Sequence, residues 1–312
     1  NLLTGLFLKS TVFDLLRICG VSENQRLIKF LNLQLKLYSQ QDVYNTAALY
    51  GSTVLQMGQH PHGLWHLKES MQSLSQSLED SLNKTGAKLI YGQEVKSITF
   101  DERAECWKIL SKSKKCSYEF YATDLVYTPP PQSLLEHLKE PLKKKKNYKN
   151  RLNSLPNPSG ALVFYSALKK EHIKTISSYH YQFAAHELGS IFVSISREGD
   201  GRAPRGEITL IASMFTKTKD WFNLEKNIYL EKKKMYLRKI SSELESKFDI
   251  DSDNWLHKEL ATPVGFQKWT NRPNGIVGGL GQNPGIFGLF GLSSRTPFQG
   301  LWLCGDSIYP GE

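Results

Sequence analysis

The segment Gly300-Leu-Trp-Leu-Cys-Gly-Asp-Ser-Ile-Tyr-Pro-Gly-Glu312 carries the most pointed chemistry of the chain. Leu301 to Cys304 are apolar and read as a short buried strand. Gly305 breaks the strand, and Asp306 sets one carboxylate at its carboxyl end. Pro310-Gly311 follows at a spacing suited to opening a loop or a helix amino terminus. In open α/β sheets, ligands gather at strand carboxyl ends and at helix amino termini. A lone aspartate there suits the hydroxyls of a ribose or a ribityl chain. The plain alternative is a core strand followed by a loop aspartate.

Other chemistries find less support. A dinucleotide site opens with a strand, GxGxxG and a helix, and that string is absent. Gly278-Gly279-Leu-Gly281 and Gly285-Ile-Phe-Gly288-Leu-Phe-Gly291 are spaced wrongly for it, and read as a close-packed loop beside an apolar pocket or as tight turns. No GxSxG and no catalytic cysteine environment points to nucleophilic catalysis. His60, His62 and His66 are close in sequence, but Pro61 and Gly63 break the helical geometry a metal would need. Asp249, Asp251 and Asp253 lack the glycine and closing glutamate of a calcium loop. Cys19, Cys106, Cys116 and Cys304 show no zinc spacing, so no metal is expected and the thiols read as reduced and mostly buried.

Several elements must position that aspartate. Leu27, Phe30, Leu31, Leu35 and Tyr38 recur at helical spacing, so residues 1–60 read as helical with one apolar face. After His60-Pro-His-Gly63 comes a second amphipathic helix, with Leu67, Met71, Leu74, Leu78 and Leu82 as its buried stripe and Thr85-Gly86 as its stop. The period then changes. Residues 88–91, 95–100, 106–110 and 116–121 read as strands joined by turns, an antiparallel meander, and 124–128 as a buried strand returning to the main sheet. Beyond a basic stretch and Pro156-Asn-Pro158 come strands at 161–165, 191–195 and 208–212. A long helix over about 224–248 carries Ile228, Met235, Ile240 and Leu244 inward, and 262–292 is rich in glycine and aromatics. The fold class is mixed α/β, with a second lobe interrupting the first.

The 312 residues suffice for two domains or one large domain with an inserted lobe, and the composition, 40% hydrophobic and 22% charged, is that of a globular chain. No apolar run approaches a membrane span, and there is no signal-peptide pattern. The formal net charge is +10, with lysines concentrated at 139–149 and at Lys232-Lys233-Lys234. Such runs are ordinarily solvated faces. The functional reading is attraction to an anionic lipid surface. Nucleic acid is not expected, since no recognised module and no arginine–aromatic interleaving accompanies the lysines.

Taken together, several segments resemble the flavin-dependent carotenoid desaturases and isomerases of the phytoene-desaturase type, within the amine-oxidase-like flavoproteins. They are His60-Pro-His-Gly63 with Met71 to Leu82, then Gly86 through Val95 and Ile98, and Asp124-Leu-Val-Tyr-Thr128-Pro129. Asp200-Gly-Arg-Ala-Pro204-Arg-Gly206, Thr262-Pro263, and Gly300 to Asp306 through Pro310-Gly311 complete the set, in order along nearly the whole chain. Residues 30–50 and 60–71 look most similar to the cyanobacterial carotenoid C-3′,4′ desaturase branch.

The resemblance implies FAD as cofactor and a carotenoid as substrate. It implies a FAD-binding-like domain interleaved with a substrate domain of mixed sheet and helices. Substrate-domain helices would occupy 1–60, part of the FAD domain with the meander 61–135, the substrate domain 136–295, and a FAD-domain strand 296–312. Val95 would set its backbone against the FAD adenine, and Asp306 would bond the ribityl hydroxyls, with Gly305 allowing close approach. Gly311 and Glu312 would lead into the helix whose amino terminus faces the flavin pyrimidine ring. Phe266, Trp269, Phe287 and Phe290 would help line an apolar tunnel. The implied reaction is dehydrogenation, in which a hydride leaves an allylic carbon for the flavin and a proton leaves the neighbouring carbon. No residue stands out as general base.

Relatives begin with a strand and a GxGxxG turn that have no match here, so the chain is expected to be an internal fragment, inactive by itself. A substrate that lives in the bilayer would place the protein peripherally on the cytoplasmic side of a thylakoid or plasma membrane. The rivals are a carotenoid cis–trans isomerase, another flavoprotein oxidase with a more polar pocket, and a non-catalytic carotenoid- or lipid-binding derivative.

Overall fold

The computed structural model describes residues 7–57, 67, 69–156, 159–174 and 176–309. His60, His62 and His66, and Gly311 and Glu312 of the expected cofactor site, lie outside the described residues.

Three helices open the described chain. In α1 (Val12–Ile18) a capping box ties the first turn, with the Asp14 amide donating to Thr11 Oγ1 while the Thr11 amide donates to Asp14 Oδ2 at 2.9 Å. α2 (Gln25–Ser39) starts on Asn24, whose side chain accepts from the Leu27 amide. With α3 (Ala48–Met57) they enclose a small core of Val12, Leu16, Ile28, Leu35 and Val43. Leu35 is buried as the periodicity requires, whereas Phe30 is 57% exposed and Ile28 takes the inward place.

α4 (Gln72–Lys84) forms with its stop as expected, Gly86 adopting a φ of +77°. Its apolar stripe is another matter. Met71, Leu74, Leu78 and Leu82 are all exposed, and no residue of the helix is buried. The stripe is expected to be buried, yet its five residues, Leu67 included, are 40% to 70% exposed. The expected strand at 88–91 is also not formed. Leu89, Ile90 and Tyr91 are exposed and irregular, because a strand needs a ladder partner and none lies beside them among the described residues.

The meander is present as β1 (Glu94–Asp101), β2 (Cys106–Lys112) and β3 (Ser117–Ala122), paired antiparallel in that order. β4 (Leu125–Tyr127) then leaves it and pairs parallel with β10 (Leu301–Leu303), in the register Leu125↔Leu301, Val126↔Trp302 and Tyr127↔Leu303. Residues 124–128 and 301–304 are expected as buried strands, the first returning to a main sheet. Instead, among the described residues, β4 and β10 form a two-stranded sheet of their own, with Val126 and Trp302 exposed on one face and only the alternate residues buried or half-buried. Trp107 clamps the meander onto it, its indole donating to the Gln299 carbonyl at 3.0 Å. At Gly300 a Cβ would stand 2.3 Å from the Thr123 carbonyl oxygen, so only glycine permits the approach. Ile98, Trp107, Tyr127, Leu301, Leu303 and Ile308 share the resulting core.

Short helices α5 (Leu134–His137), α6 (Lys139–Lys143) and α7 (Lys146–Asn153) carry the basic stretch. The largest sheet among the described residues is antiparallel, of β5 (Gly160–Lys169), β6 (His180–Ala185), β7 (Gly189–Ile195), β8 (Glu207–Thr216) and β9 (Trp255–Ala261), in the spatial order β6-β7-β8-β5-β9. α8 (Lys226–Phe248) packs on it through Ile240, Leu244 and Phe248. Ile228 and Met235, also expected to point inward, are 55% and 42% exposed, since Tyr229 and Tyr236, the next residue in each case, take the inward places and pack on the sheet core. α9 (Pro263–Thr270) leads into the glycine-rich segment. The fold is mixed α/β, as the sequence predicts.

Candidate functional site

Asp306 follows β10 by three residues. The strand's pairing continues one step, the Cys304 amide donating to the Tyr127 carbonyl at 3.0 Å, and Gly305 then turns the chain at a φ of +130°. A side chain at Gly305 would be strained at this φ and would stand 3.2 Å from the Thr128 carbonyl. The turn delivers the Asp306 carboxylate to Arg272. Arg272 Nη1 donates to Asp306 Oδ2 at 2.9 Å, and Arg272 Nη2 donates to the Gly278 carbonyl at 2.6 Å. The other carboxylate oxygen accepts from Ser307 Oγ at 3.2 Å, and the side chain remains 31% exposed. Arg272 Nε is buried without a partner among the described residues.

Two backbone approaches and one side-chain bond fix this arrangement. A Cβ on Gly279 would fall 2.2 Å from the Asp306 carbonyl oxygen, and one on Gly275 would fall 1.8 Å from that of Pro263. On the far side, Gln40 caps α2 in the left-handed region, and its amide donates to the Gly279 carbonyl at 3.1 Å. The 278–281 segment is thus a close-packed strut between the end of β10 and the end of α2, not a phosphate-binding turn.

Beside the strut lies a cavity of about 220 Å³ between α2, the large sheet and Gly278. Leu37, Phe192, Met214 and Phe215 supply its apolar wall; Gln40, Gln182 and Ser213 supply polar groups. Lys36 borders it, with its ammonium 5.7 Å from the Phe215 ring centre and donating to the Gln40 carbonyl at 3.0 Å. Burial lowers the Lys36 pKa, partly opposed by Asp42. A chain of contacts therefore runs from Asp306 through Arg272 and Gly278 to a cavity lined by aromatic and amide groups. Sequence reasoning missed Arg272, Gln40 and Lys36, because partners that meet only through tertiary contact leave no local spacing.

The other expected residues fall in different places. Val95 opens β1 at a bulge, on the sheet edge that has no strand partner among the described residues, and packs on the same core as β10. Phe290 lines a separate cavity of about 540 Å³ with Leu155, Pro156 and Ile286. Phe287 packs edge-to-face on Tyr50, with ring centres 5.7 Å apart. Phe266 and Trp269 lie on α9, where Trp269 is 81% exposed with Lys268 over its ring. The structure brings Phe287 and Phe290 into one turn and leaves the α9 pair apart from both cavities. Among the described residues no cluster of acidic, histidine or cysteine side chains could hold a metal, and the cysteines are free, with only Cys106 buried. The expectation of mostly buried thiols is therefore corrected.

No family model matches the chain. It is similar to the chloroplastic prolycopene isomerase of Arabidopsis thaliana, 24% identical over 301 residues, which cover 93% of this chain and 49% of the plant protein. The Daucus carota prolycopene isomerase is 23% identical over 300 residues, covering 93% and 48%. The chain thus spans about half the length of the curated relatives it matches. In three dimensions it superposes on a solved oxidoreductase from Methanosarcina mazei with a TM-score of 0.62 at 14% identity, covering 93% of this chain and 62% of that one. The fold is that of this oxidoreductase.

Proposed function

We propose that this chain is part of an FAD-dependent enzyme that acts on the conjugated chain of a carotenoid. The observation that carries the reading is the similarity to prolycopene isomerases along 93% of the chain. The placement of Asp306 supports it. Its carboxylate stands at the carboxyl end of a parallel strand, partly exposed, with one oxygen held by Arg272 and the other, among the described residues, by Ser307 alone. That environment fits a ribityl chain, since the second oxygen keeps accepting capacity for hydroxyl donors.

When bound, FAD supplies the two-electron redox chemistry that no side chain here offers. The residues around it bind, orient and exclude water. Asp306 accepts from ribityl hydroxyls, Arg272 fixes its rotamer, and Gly279 and Gly305 let backbone approach closely. Val95 would set its backbone against the adenine; the part carried over from the sequence for Gly311 and Glu312 falls outside the described residues. Phe192, Met214 and Phe215 keep the inner cavity dry for one segment of a polyene, and Phe290 lines an outer chamber. Desaturation is the reading carried over from the sequence, in its finest form at the C-3′,4′ position. Cis–trans isomerisation is the second reading, favoured by the names of the plant relatives. A polyene substrate also brings peripheral membrane contact into the same proposal; among the described residues no helix is long and apolar enough to cross a membrane.

Expression of the complete gene in carotenoid-producing cells, followed by pigment mass and absorption spectra, tests this. Loss of hydrogen with a red-shifted spectrum marks desaturation, and a changed spectrum at unchanged mass marks isomerisation. An unchanged carotenoid profile from well-folded, flavin-loaded protein overturns the carotenoid reading.

A further inference from the structure

We propose that the surface shared by residues 143–151 and 289–297 is the face with which this protein docks on an anionic phospholipid bilayer. The inference rests on the membrane contact of the proposed function and gives it a location. Two segments far apart in sequence build the face. Lys143 to Lys146 and Arg151 converge with Arg295 on a depression of about 920 Å³ whose walls include Leu289 and Leu292, and no carboxylate lines it. Nearby acids neutralise part of the charge, Glu140 pairing with Lys143 at 2.8 Å and Glu102 with Lys144 at 2.6 Å. Lys145, Lys146, Lys149 and Arg295 have no ion pair among the described residues.

The apolar part is held in place by the basic part. Arg151 Nη2 donates to the carbonyls of Phe290 at 3.0 Å and Gly291 at 2.7 Å. This fixes the single turn Gly288–Phe290 with Leu289 at its apex, 83% exposed. Tyr309, 58% exposed, backs the same loop through a 2.8 Å bond from its amide to the Leu292 carbonyl. A leucine tip, a tyrosine and a rim of lysines match the layers of a membrane surface, apolar below and anionic above.

The alternatives fit less well. A site for one small anion needs desolvated donors, yet the Lys143 and Lys144 side chains are 66% and 73% exposed. Lysines on flexible stems act as point charges toward a diffuse array of headgroups, where a single phosphate favours an arginine fork. Nucleic acid calls for stacking platforms, and the tip here is aliphatic.

The test is sedimentation of the complete protein with phosphatidylcholine vesicles, with and without phosphatidylserine, over a range of salt. Binding is expected only with phosphatidylserine. Replacing Lys145, Lys146 and Lys149 by Gln should lower the partition about 100-fold at low salt, at about fivefold per lysine. Leu289→Ser should reduce the binding that survives high salt. The triple change K226Q/K233Q/K234Q on α8 should leave partition within about twofold, since α8 contributes no residue to this face. Circular dichroism and melting confirm that each variant folds. Wild-type binding that the first two variants leave intact, or that the α8 variant abolishes, overturns this face while leaving membrane contact standing. No binding by the wild type overturns both. Displacement from vesicles by inorganic pyrophosphate at constant ionic strength identifies a soluble-anion site and also overturns the proposal.

Discussion

Asp306 and Arg272 are separated by 34 positions and meet across the seam between β10 and the glycine-rich segment. A hydrogen bond to a charged group contributes about 1.5–3 kcal/mol net. If Asp306 accepts from ribityl hydroxyls, Asp306→Ala in the complete protein weakens FAD retention by about 10- to 100-fold, read from flavin absorbance after gel filtration. Arg272→Met should lower the melting temperature, because it leaves the part-buried carboxylate and the Gly278 carbonyl without their donor, while FAD retention falls less than in Asp306→Ala. Equal retention by Asp306→Ala and the wild type would remove Asp306 from the cofactor site. The aspartate itself was legible in sequence from Gly305 and the apolar run before it. Arg272 was not, since its significance lies in the two oxygens it bridges.

At the scale of elements, α8 separates pattern from burial. Ile240 is fully buried and Ile228 is 55% exposed, because twelve positions at 3.6 residues per turn set the two about 120° apart around the helix. Ile240→Ala should cost about 2–5 kcal/mol by cavity formation, and Ile228→Ala within about 0.5 kcal/mol, measured by denaturant unfolding. The loop between β7 and β8 gives a pH prediction. Burial alone would raise the Asp200 pKa, but bonds from the Arg202 side chain and from the Arg202 and Arg197 amides hold it at about 2, below the ordinary 3.8. A carboxylate depressed in the folded state stabilises fully above its unfolded pKa and loses that contribution as pH falls through the folded value. Melting temperature should therefore drop between about pH 4 and pH 2, and Asp200→Asn should flatten that part of the profile while lowering stability at neutral pH. Period two and period three-and-a-half placed the strands and helices of this lobe. They left out β6 and β9, whose residues are partly polar and become strands because β7 and β5 offer ladder partners.

For the whole molecule, the exposed stripe on α4 and the neighbouring Leu89-Ile90-Tyr91 form the largest departure from the sequence reading. A row of exposed leucines contributes little to folding, so L74Q/L78Q/L82Q should shift stability by no more than about 1 kcal/mol and reduce binding of an apolar dye. A larger loss of stability would mean that the stripe is buried in solution. By itself the sequence determined the mixed α/β class, the meander, and the aspartate at a strand end. These rest on local periodicity and on turn chemistry, which act within a few residues. Tertiary structure alone decided which apolar faces are covered, that β4 meets β10 across 176 positions in parallel register, and that Arg272, Gln40 and Gly278 gather beside Asp306. Burial and charge pairing depend on what a side chain meets in space, and no one-dimensional spacing encodes that meeting.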